Sequence, residues 1–213
     1  NKNKMTLRFF KLPTFLYYIF NRFTFRENVS EKKVFLTFDD GPTKEVTPWI
    51  LEVLERYQAK ATFFCVGENV VKQNVLYQQI IDAGHRTGNH TYNHLNIKDV
   101  TRSSYINNVT KCSHVVNSRL FRPPYGKIRP TIAKRLKRMG YKLVMWTILS
   151  YDFDTDLSPG FILRKIIRQT RPGSIIVFHD NVKAFQNLQI LLPRYIAYMK
   201  NQGYSFDVIP KGI

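Results

Sequence analysis

Two hydrophobic periodicities alternate along the chain from about residue 33 onward. Short runs rich in β-branched and aromatic residues predict strands, and longer stretches with apolar positions three or four residues apart predict helices. The predicted strands are Val34–Phe38, Ala61–Val66, Arg86–Asn89, Leu120–Arg122, Lys142–Thr147, Ser174–Phe178 and Tyr204–Val208. The predicted helices are residues 45–58, 69–83, 103–118, 129–139, 159–170 and 184–201. Strands that alternate with helices are typical of a parallel sheet, so we expect an α/β fold in which seven strands could close into a barrel.

Two local signals support these helices. The segment 103–118 carries apolar residues at helical spacing, namely Tyr105, Val109, Cys112 and Val116. Glycines follow three of the predicted helices, at the place where a left-handed C-cap is expected: Gly84, Gly140 and Gly203.

The composition is that of one globular domain. Hydrophobic residues make up 44% and aromatic residues 14% of the 213 residues, which is enough for a single substantial core. The net charge of +18 favours anionic partners. The basic residues are scattered as on the solvated faces of helices, and neither a zinc-finger spacing nor an RNA-binding motif is present, so we expect no nucleic-acid partner. Cys65 and Cys112 are interpreted as small buried hydrophobes.

Residues 1–30 form an apolar and basic segment ahead of the predicted domain over residues 31–213. Its longest unbroken apolar stretch, Leu12–Phe20, is well short of the ~20 residues that a membrane-spanning helix needs. The basic residues before it resemble the start of a signal peptide, yet no small-residue cleavage site follows. Two interpretations stay open: the segment packs against the bottom of the domain, or it makes peripheral contact with a membrane as a basic amphipathic anchor.

Ionisable side chains recur at the carboxyl ends of the predicted strands. They are Asp39, Asp40, His90, Arg122, Asp152 and His179. In parallel α/β barrels these ends converge on one face, which is where active sites are built. Five strand ends that carry such residues are hard to explain by packing. Two adjacent carboxylates would also repel each other unless a cation or an arginine compensates them.

His90 and His94 are four residues apart, a spacing that can place both imidazoles on one metal ion. Alone, such a pair is a weak signal. Together with Asp40 it makes a set of two histidines and one carboxylate with open positions for water and substrate, as catalytic metal sites require. The other two histidines outside the strand ends, His85 and His114, are interpreted as structural.

Residues 121–126 predict a rigid turn after the fourth strand. Pro123 and Pro124 fix φ and lack N–H donors, so the next free amide, that of Tyr125, can point into the cleft. Standing alone, this motif would be interpreted as an ordinary Pro-Pro turn.

With these motifs in place, residues 33 to about 210 resemble the polysaccharide deacetylase family, also called the NodB homology domain or carbohydrate esterase family 4. Residues 37–42 (TFDDGP) match the first family motif, residues 90–94 (HTYNH) the second and residues 122–126 (RPPYG) the third. The resemblance implies a distorted (β/α) barrel, often of seven strands. It also implies a hydrolase that removes acetyl groups from sugars of the N-acetylglucosamine type.

The last two motifs depart mildly from the family pattern. Trp146 followed by Asp152 and Phe153 resembles the fourth motif, where the family usually has Asp-Trp, and Val177 with His179 resembles the fifth, usually Leu-x-His. Phe153 keeps an aromatic wall without an indole N–H, and Val177 enlarges the pocket slightly. Neither change removes a catalytic atom, so we expect an active enzyme.

The resemblance assigns a role to each of these residues. It implies that one divalent ion, zinc or a similar ion such as cobalt, is held by Asp40, His90 and His94. It implies a catalytic group made of the base Asp39, its partner Arg122, the acid His179 and the orienting residue Asp152. It also implies that four residues contact the oxyanion or the substrate, namely Tyr125, Phe153, Val177 and Pro123.

The implied reaction is hydrolysis of the N-acetyl amide of an N-acetylated sugar in a polysaccharide or glycoconjugate, which releases acetate and a free amine. We expect a monomer at the cell envelope, or associated with the membrane through the N-terminal segment. Two alternatives stay open: a deacetylase of a lipid-linked sugar or other membrane-proximal amide, and a non-catalytic carbohydrate- or membrane-binding protein.

Overall fold

The computed structural model describes residue 10 and residues 22–211. Its strands are β1 (Lys33–Asp39), β2 (Ala61–Cys65), β3 (Arg86–Asn89), β4 (Leu120–Phe121), β5 (Lys142–Leu143), β6 (Ile148–Leu149), β7 (Ile175–His179) and β8 (Ser205–Phe206). Its helices are α1 (Thr47–Arg56), α2 (Gly67–Lys72), α3 (Asn74–Asp82), α4 (Arg102–Ser113), α5 (Pro130–Arg138), α6 (Pro159–Gln169) and α7 (Val182–Asn201). A short 3-10 turn covers Pro124–Gly126.

The strands form one parallel sheet that curls into a half-barrel. Seven of them follow the order β5-β4-β3-β2-β1-β7-β6, and β8 pairs with β1. This arrangement confirms the predicted α/β fold with seven parallel strands. Helices cover the outer face because each crossover between parallel strands needs a helix or a long loop.

Alternation along β1 decides which side chains enter the half-barrel. Val34, Leu36 and Phe38 pack with the helices in the main core, whereas Phe35 belongs to a separate cluster inside the half-barrel. Because side chains alternate between the two faces of a strand, Asp39 lies on the same face as Phe35 and points inward at the mouth of the half-barrel. The strand is buried on both faces, which explains its nearly continuous apolar run.

The segment between β5 and β6 crosses from one edge of the sheet to the other. The Val144 amide donates to the Phe121 carbonyl at 2.8 Å, and the Thr147 amide donates to the Ile175 carbonyl at 3.0 Å. The sequence predicted one strand over Lys142–Thr147, but within this range the structure has only β5, and β6 follows it and pairs with the opposite edge of the sheet. The apolar residues at 142–147 reflect burial of the whole crossing segment. Burial alone does not reveal that its first residues pair with β4 whereas the residues that follow pair with β7.

Residues 24–27 fill the gap between the same two edges. Thr24 forms a bridge with Val144, and Arg26 forms a bridge with Ser174, at the start of β7. Lys142 and Glu27 form an ion pair of 2.8 Å that is mostly shielded from solvent. The division of the chain at residues 30 and 31 therefore stays a prediction, and the described part of the N-terminal segment packs on the sheet.

Most of the apolar N-terminal stretch lies outside the described residues. Phe10, the one described residue ahead of position 22, is buried, and its ring contacts those of Tyr151 and Phe161 at centroid distances of 4.9 and 6.0 Å. Membrane contact by this segment stays a prediction. Among the described residues, no helix is both long and apolar enough to cross a membrane.

The predicted helices are found, with one division. One helix was predicted over residues 69–83, but the structure has two, α2 and α3. Gln73 separates them because its φ of −126° and ψ of 46° are not helical. The apolar spacing continues across this break, so the pattern alone does not reveal it. The three expected C-cap glycines have φ values of 75°, 83° and 79°, which confirms left-handed ends at Gly84, Gly140 and Gly203.

Gly88 on β3 lies directly across from Phe64 on β2. A Cβ atom at Gly88 would lie 2.5 Å from the Phe64 ring and 3.3 Å from Cβ of Leu120. Because β3 pairs with β2 and β4, its backbone cannot move away easily. We expect Gly88→Ala to lower the free energy of unfolding by about 1–3 kcal/mol, as overpacking does. Denaturant unfolding measures this loss.

The matched control is Gly160→Ala in α6, where the nearest atom to a new Cβ is the end of the Arg164 side chain at 3.6 Å. Alanine favours a helix over glycine, so this variant should be at least as stable as the wild type. Equal stability of the two variants would show that the Phe64 ring can move aside without lowering the free energy of unfolding.

Candidate active site

The predicted site residues meet at the mouth of the half-barrel. Asp39 and His179 are the last residues of β1 and β7, and His90 follows β3 directly. Together with Asp40 and His94 they line a cavity of about 450 Å³, which is a size typical of small-ligand sites. The expectation that strand ends bring these side chains together is therefore met.

Asp40, His90 and His94 form one compact cluster whose potential ligand atoms lie within 4.8 Å of one another. Oδ1 of Asp40 is 3.1 Å from Nε2 of His94 and 3.6 Å from Nε2 of His90. Burial alone would raise the pKa of Asp40, but hydrogen bonding with His90 and His94 outweighs it and holds the pKa well below its ordinary value. The cluster thus presents a carboxylate and two imidazoles to a common point.

Outer hydrogen bonds orient this cluster as metal sites require. Nδ1 of His90 is 2.7 Å from the Arg122 carbonyl oxygen, so Nδ1 carries a proton, and loss of the Nε2 proton that faces Asp40 would free the Nε2 lone pair for a metal ion. The Asn181 amide donates to Oδ2 of Asp40 at 2.7 Å, which leaves Oδ1 facing the histidines. Two imidazole nitrogens and one carboxylate oxygen fit a divalent ion of the zinc type.

Left-handed backbone concentrates at this site. Asp40, Thr91, His94 and Tyr125 have φ values of 82°, 67°, 55° and 59°. Such conformations in non-glycine residues cost on the order of 1–3 kcal/mol each and persist where surrounding contacts enforce them. One enforcing contact is the buried side chain of Asn89, whose Oδ1 accepts the Thr91 amide at 2.9 Å. These strained conformations orient the potential metal ligands and do not add to the stability of the fold.

Arg122 is fully buried and holds Asp39. Its Nη1 donates to Oδ1 of Asp39 at 2.7 Å and to Oγ1 of Thr37 at 2.7 Å, and its Nη2 donates to the Met145 carbonyl at 2.9 Å. The guanidinium carbon lies 4.1 Å from the centre of the Phe64 ring. Burial lowers the pKa of Arg122, and the ion pair with Asp39 opposes that shift. The carboxylate at the cavity is therefore fixed in position and paired with a cation.

His179 is held by Asp152 on the opposite side of the cavity. Its Nδ1 lies 2.8 Å from Oδ1 of Asp152, and its backbone amide donates to Oδ2 at 2.7 Å. Ser150 and Asn187 bond the same aspartate, at its carboxylate and its carbonyl. Burial lowers the pKa of His179, but the Asp152 carboxylate, with smaller contributions from Asp40 and Asp39, more than offsets this and raises the pKa to about 9. The bond at Nδ1 leaves Nε2 as the ring nitrogen available to the cavity.

The Pro-Pro turn presents an unpaired amide beside the histidines. Among the described residues, the Tyr125 N–H has no hydrogen-bond acceptor, and its ring packs edge-on against His94 at a centroid distance of 4.8 Å. Pro123 is buried outside the cavity lining, and its carbonyl accepts the Gly126 amide at 3.0 Å. Pro123 therefore builds the turn, and Tyr125 is the member that reaches the cavity.

The apolar wall contains the two residues that the motifs indicated. Val177 lines the cavity, and the Phe153 ring packs edge-on against His179 at a centroid distance of 4.9 Å. Trp146 from the crossing segment and Leu149 from β6 complete this wall.

Several asparagines that support the site were missed by sequence reasoning. Asn181 bonds Asp40 and also caps α7 through the Ala184 amide at 3.0 Å, and Asn69 donates to the Asp40 carbonyl at 2.8 Å. The only available signal was an asparagine just ahead of the last predicted helix, which indicates a cap but not a second bond to a carboxylate.

The remaining histidines and the cysteines lie outside the site. His85 accepts the Ala61 amide through Nδ1, and burial lowers its pKa to about 4, whereas His114 is exposed at the end of α4. Burial raises the pKa of both thiols, that of Cys112 to about 12, which agrees with buried, unreactive cysteines.

Comparison with known proteins gives consistent results. The family model described as polysaccharide deacetylase matches residues 26–144. A peptidoglycan-N-acetylglucosamine deacetylase of Bacillus cereus is 32% identical over 195 residues, which cover 88% of this chain and 70% of the relative. The crystal structure of a peptidoglycan N-acetylglucosamine deacetylase superposes with a TM-score of 0.86 at 30% identity, covering 93% of this chain and 96% of the other.

A similar fold also occurs without activity. A CE4 family pseudoenzyme from Bacillus anthracis has a TM-score of 0.74 at 28% identity, covering 87% of this chain and 66% of the other. Activity must therefore be argued from the side chains of the site, whereas ancestry follows from the matches themselves. On that basis the chain belongs to the polysaccharide deacetylase family.

Proposed function

We propose that the chain hydrolyses the N-acetyl amide of an N-acetylated sugar in a polysaccharide or glycoconjugate, releasing acetate and a free amine. The observation that carries this proposal is the meeting of three units in one cavity. They are the Asp40–His90–His94 cluster, the Asp39–Arg122 ion pair and the Asp152–His179 ion pair. A binding module would need neither a base nor an acid at this place.

The cluster would hold one divalent ion, and its donor set favours zinc or cobalt. When bound, such an ion lowers the pKa of water and polarises an acyl carbonyl. Asp39 would accept the proton of the attacking water, and Arg122 would keep that carboxylate aimed at the cavity. As the new C–O bond forms, the Tyr125 N–H would donate to the oxyanion of the tetrahedral intermediate.

His179 would complete the reaction as the acid. Protonated at Nε2 and held at Nδ1 by Asp152, it would transfer its proton to the sugar nitrogen as the C–N bond breaks. Val177, Leu149 and Phe153 would enclose the acetyl methyl group, because they form the apolar side of the cavity. The products are acetate and a sugar amine.

Two of the relatives named above are peptidoglycan N-acetylglucosamine deacetylases, and the chain's charge of +18 suits an acidic wall polymer. We therefore place the substrate in the cell wall and the protein at the cell envelope. The assay is release of free amines from N-acetylated glycans, with and without a chelator. Amine release that a chelator leaves intact would contradict the proposal.

Asp39→Asn should keep the metal cluster and lose the base. We expect amine release to fall by about 10²–10⁴-fold while the affinity for zinc, measured by competition with a chromogenic chelator, stays within about threefold. The control is Asp207→Asn, which removes a partly exposed carboxylate outside the cavity lining that pairs with Lys33 at 3.0 Å. The bond that its Oδ1 accepts from the Val208 amide can be kept by asparagine. Near-normal turnover by Asp39→Asn would rule out this residue as the base.

Asp152→Asn should change the pH dependence of the reaction. The Asp152 carboxylate raises the pKa of His179, so the acid form persists to higher pH in the wild type and is lost as pH rises through that pKa. An amide cannot stabilise the imidazolium in this way. We expect the alkaline limb of kcat/KM to move down by at least about one pH unit, equivalent to about 1.4 kcal/mol. An unchanged alkaline limb in Asp152→Asn, with Asp207→Asn again as control, would exclude His179 as the acid.

Asn181→Ser separates the two bonds of Asn181. Serine can still cap α7 through its hydroxyl, but it is too short to reach Asp40. We expect zinc affinity to fall by about 10–100-fold, the range seen when outer hydrogen bonds to metal ligands are removed. The control, Ser158→Ala, removes the cap of α6 without touching the site. Wild-type affinity in Asn181→Ser would show that Asp40 needs no second partner.

A further inference from the structure

A second groove lies next to the catalytic cavity. Its volume is about 510 Å³, and it shares Tyr125, Gly126 and Trp146 with the cavity. These three residues therefore form a common wall, with the metal cluster on one side and the groove on the other. The proposed reaction uses nothing on the groove side of this wall.

The wall is thin and closely packed. Gly126 has a φ of 64°, and a Cβ atom at this position would lie 2.4 Å from Cη2 of Trp146. The turn thus sits against the edge of the indole, with no room for another side chain between them. A polymer that places one sugar in the cavity can reach the groove with a neighbouring unit by passing over this wall.

The floor of the groove is apolar and partly aromatic. Phe25 and Met145 are buried there, and Trp146 and Ile128 are partly exposed. Flat aromatic and aliphatic surfaces of this kind suit the apolar face of a sugar ring, and pockets with such floors take their specificity from a few polar groups at the rim.

The rim of the groove is cationic. Lys98, Lys127 and Arg129 are exposed around it, and no acidic side chain lines it. In the part of the chain that the structure describes, none of these three side chains forms an ion pair. Three unpaired cations beside an apolar floor complement a sugar unit that carries a carboxylate.

We propose that this groove binds a carboxylate-bearing unit next to the sugar that is deacetylated, and that Lys98, Lys127 and Arg129 make the enzyme prefer acidic over neutral N-acetylated glycans. The inference rests on the proposed function, because it places the scissile amide in the neighbouring cavity. It narrows the substrate class to N-acetylated polymers whose units bear carboxylates, such as lactyl ethers or attached peptides.

The test compares two tetrasaccharides of equal length. One alternates N-acetylglucosamine with N-acetylmuramic acid and carries carboxylates, and the other is the neutral N-acetylglucosamine tetramer. For the zinc-loaded triple variant K98Q/K127Q/R129Q, we expect kcat/KM to fall about tenfold or more on the acidic substrate, mainly through KM. On the neutral substrate we expect a change of less than about twofold. Amidation of the carboxylates should give the wild type the same loss.

The control is K134Q/K137Q/R138Q on α5, which removes the same charges from exposed positions outside both the cavity and the groove. It should behave like the wild type on both substrates. Equal losses on the two substrates in the groove variant, or an equal loss in the control, would overturn the inference.

Binding separates this inference from the proposed function. Calorimetric titration of both tetrasaccharides into the zinc-loaded Asp39→Asn protein, with and without the three groove substitutions, needs no turnover. Tighter binding of the acidic tetrasaccharide that disappears with the groove substitutions would support the groove even if the wild type released no amine. Equal affinity for both tetrasaccharides would refute it even if the enzyme proved active.

Discussion

The buried guanidinium of Arg122 is the interaction on which the rest of the site depends. Removing a cation from water costs several kcal/mol unless charge and hydrogen bonds replace the lost hydration. Here the replacement comes from the Asp39 carboxylate, the Thr37 hydroxyl and the carbonyls of Val144 and Met145. These acceptors belong to β1 and to the crossing segment, so the guanidinium ties the wall of the half-barrel to the segment that joins its edges. Its own carbonyl fixes His90, and one residue thereby positions the proposed base and a proposed metal ligand.

Two ion pairs with opposite chemical purposes face each other across the cavity. In the first pair, the guanidinium of Arg122 stays charged and holds the carboxylate of Asp39, the proposed proton acceptor. In the second, a buried carboxylate keeps the His179 imidazole ready to give a proton, which is why its pKa rises to about 9 despite burial. The proposed division of labour between base and acid follows from these partners, because the same side chains with exchanged partners would favour the reverse roles.

The sequence allowed prediction of the parts that depend on local pattern. Strand ends identified the reactive residues, and glycines identified helix ends, because both signals come from a few neighbouring residues. The role of residues 24–27 depends on bridges to segments more than a hundred residues away. The change of partner between β5 and β6 depends on pairing with two different strands, β4 and β7, and periodicity encodes neither kind of pairing. Asn181 was missed for the same reason, since its bond to Asp40 spans 141 positions. Most of the six-residue TFDDGP motif, by contrast, lies within one buried strand and its end, so its position already implied its place in the barrel.

The unequal distribution of charge around the cleft links catalysis to selectivity. The carboxylates that line the cavity, Asp39 and Asp40, are both engaged, one with Arg122 and the other with two histidines and Asn181. Among the described residues that line the cavity and the groove there is therefore no unpaired carboxylate, while Lys183 at the cavity and the rim of the groove offer cations to the proposed acidic polymer. Attraction of this kind acts before contact and would raise the local concentration of acidic chains. Short-range packing at the wall of Tyr125, Gly126 and Trp146 would then decide which unit enters the cavity. In the proposed complex, long-range charge and local shape thus select different features of one substrate.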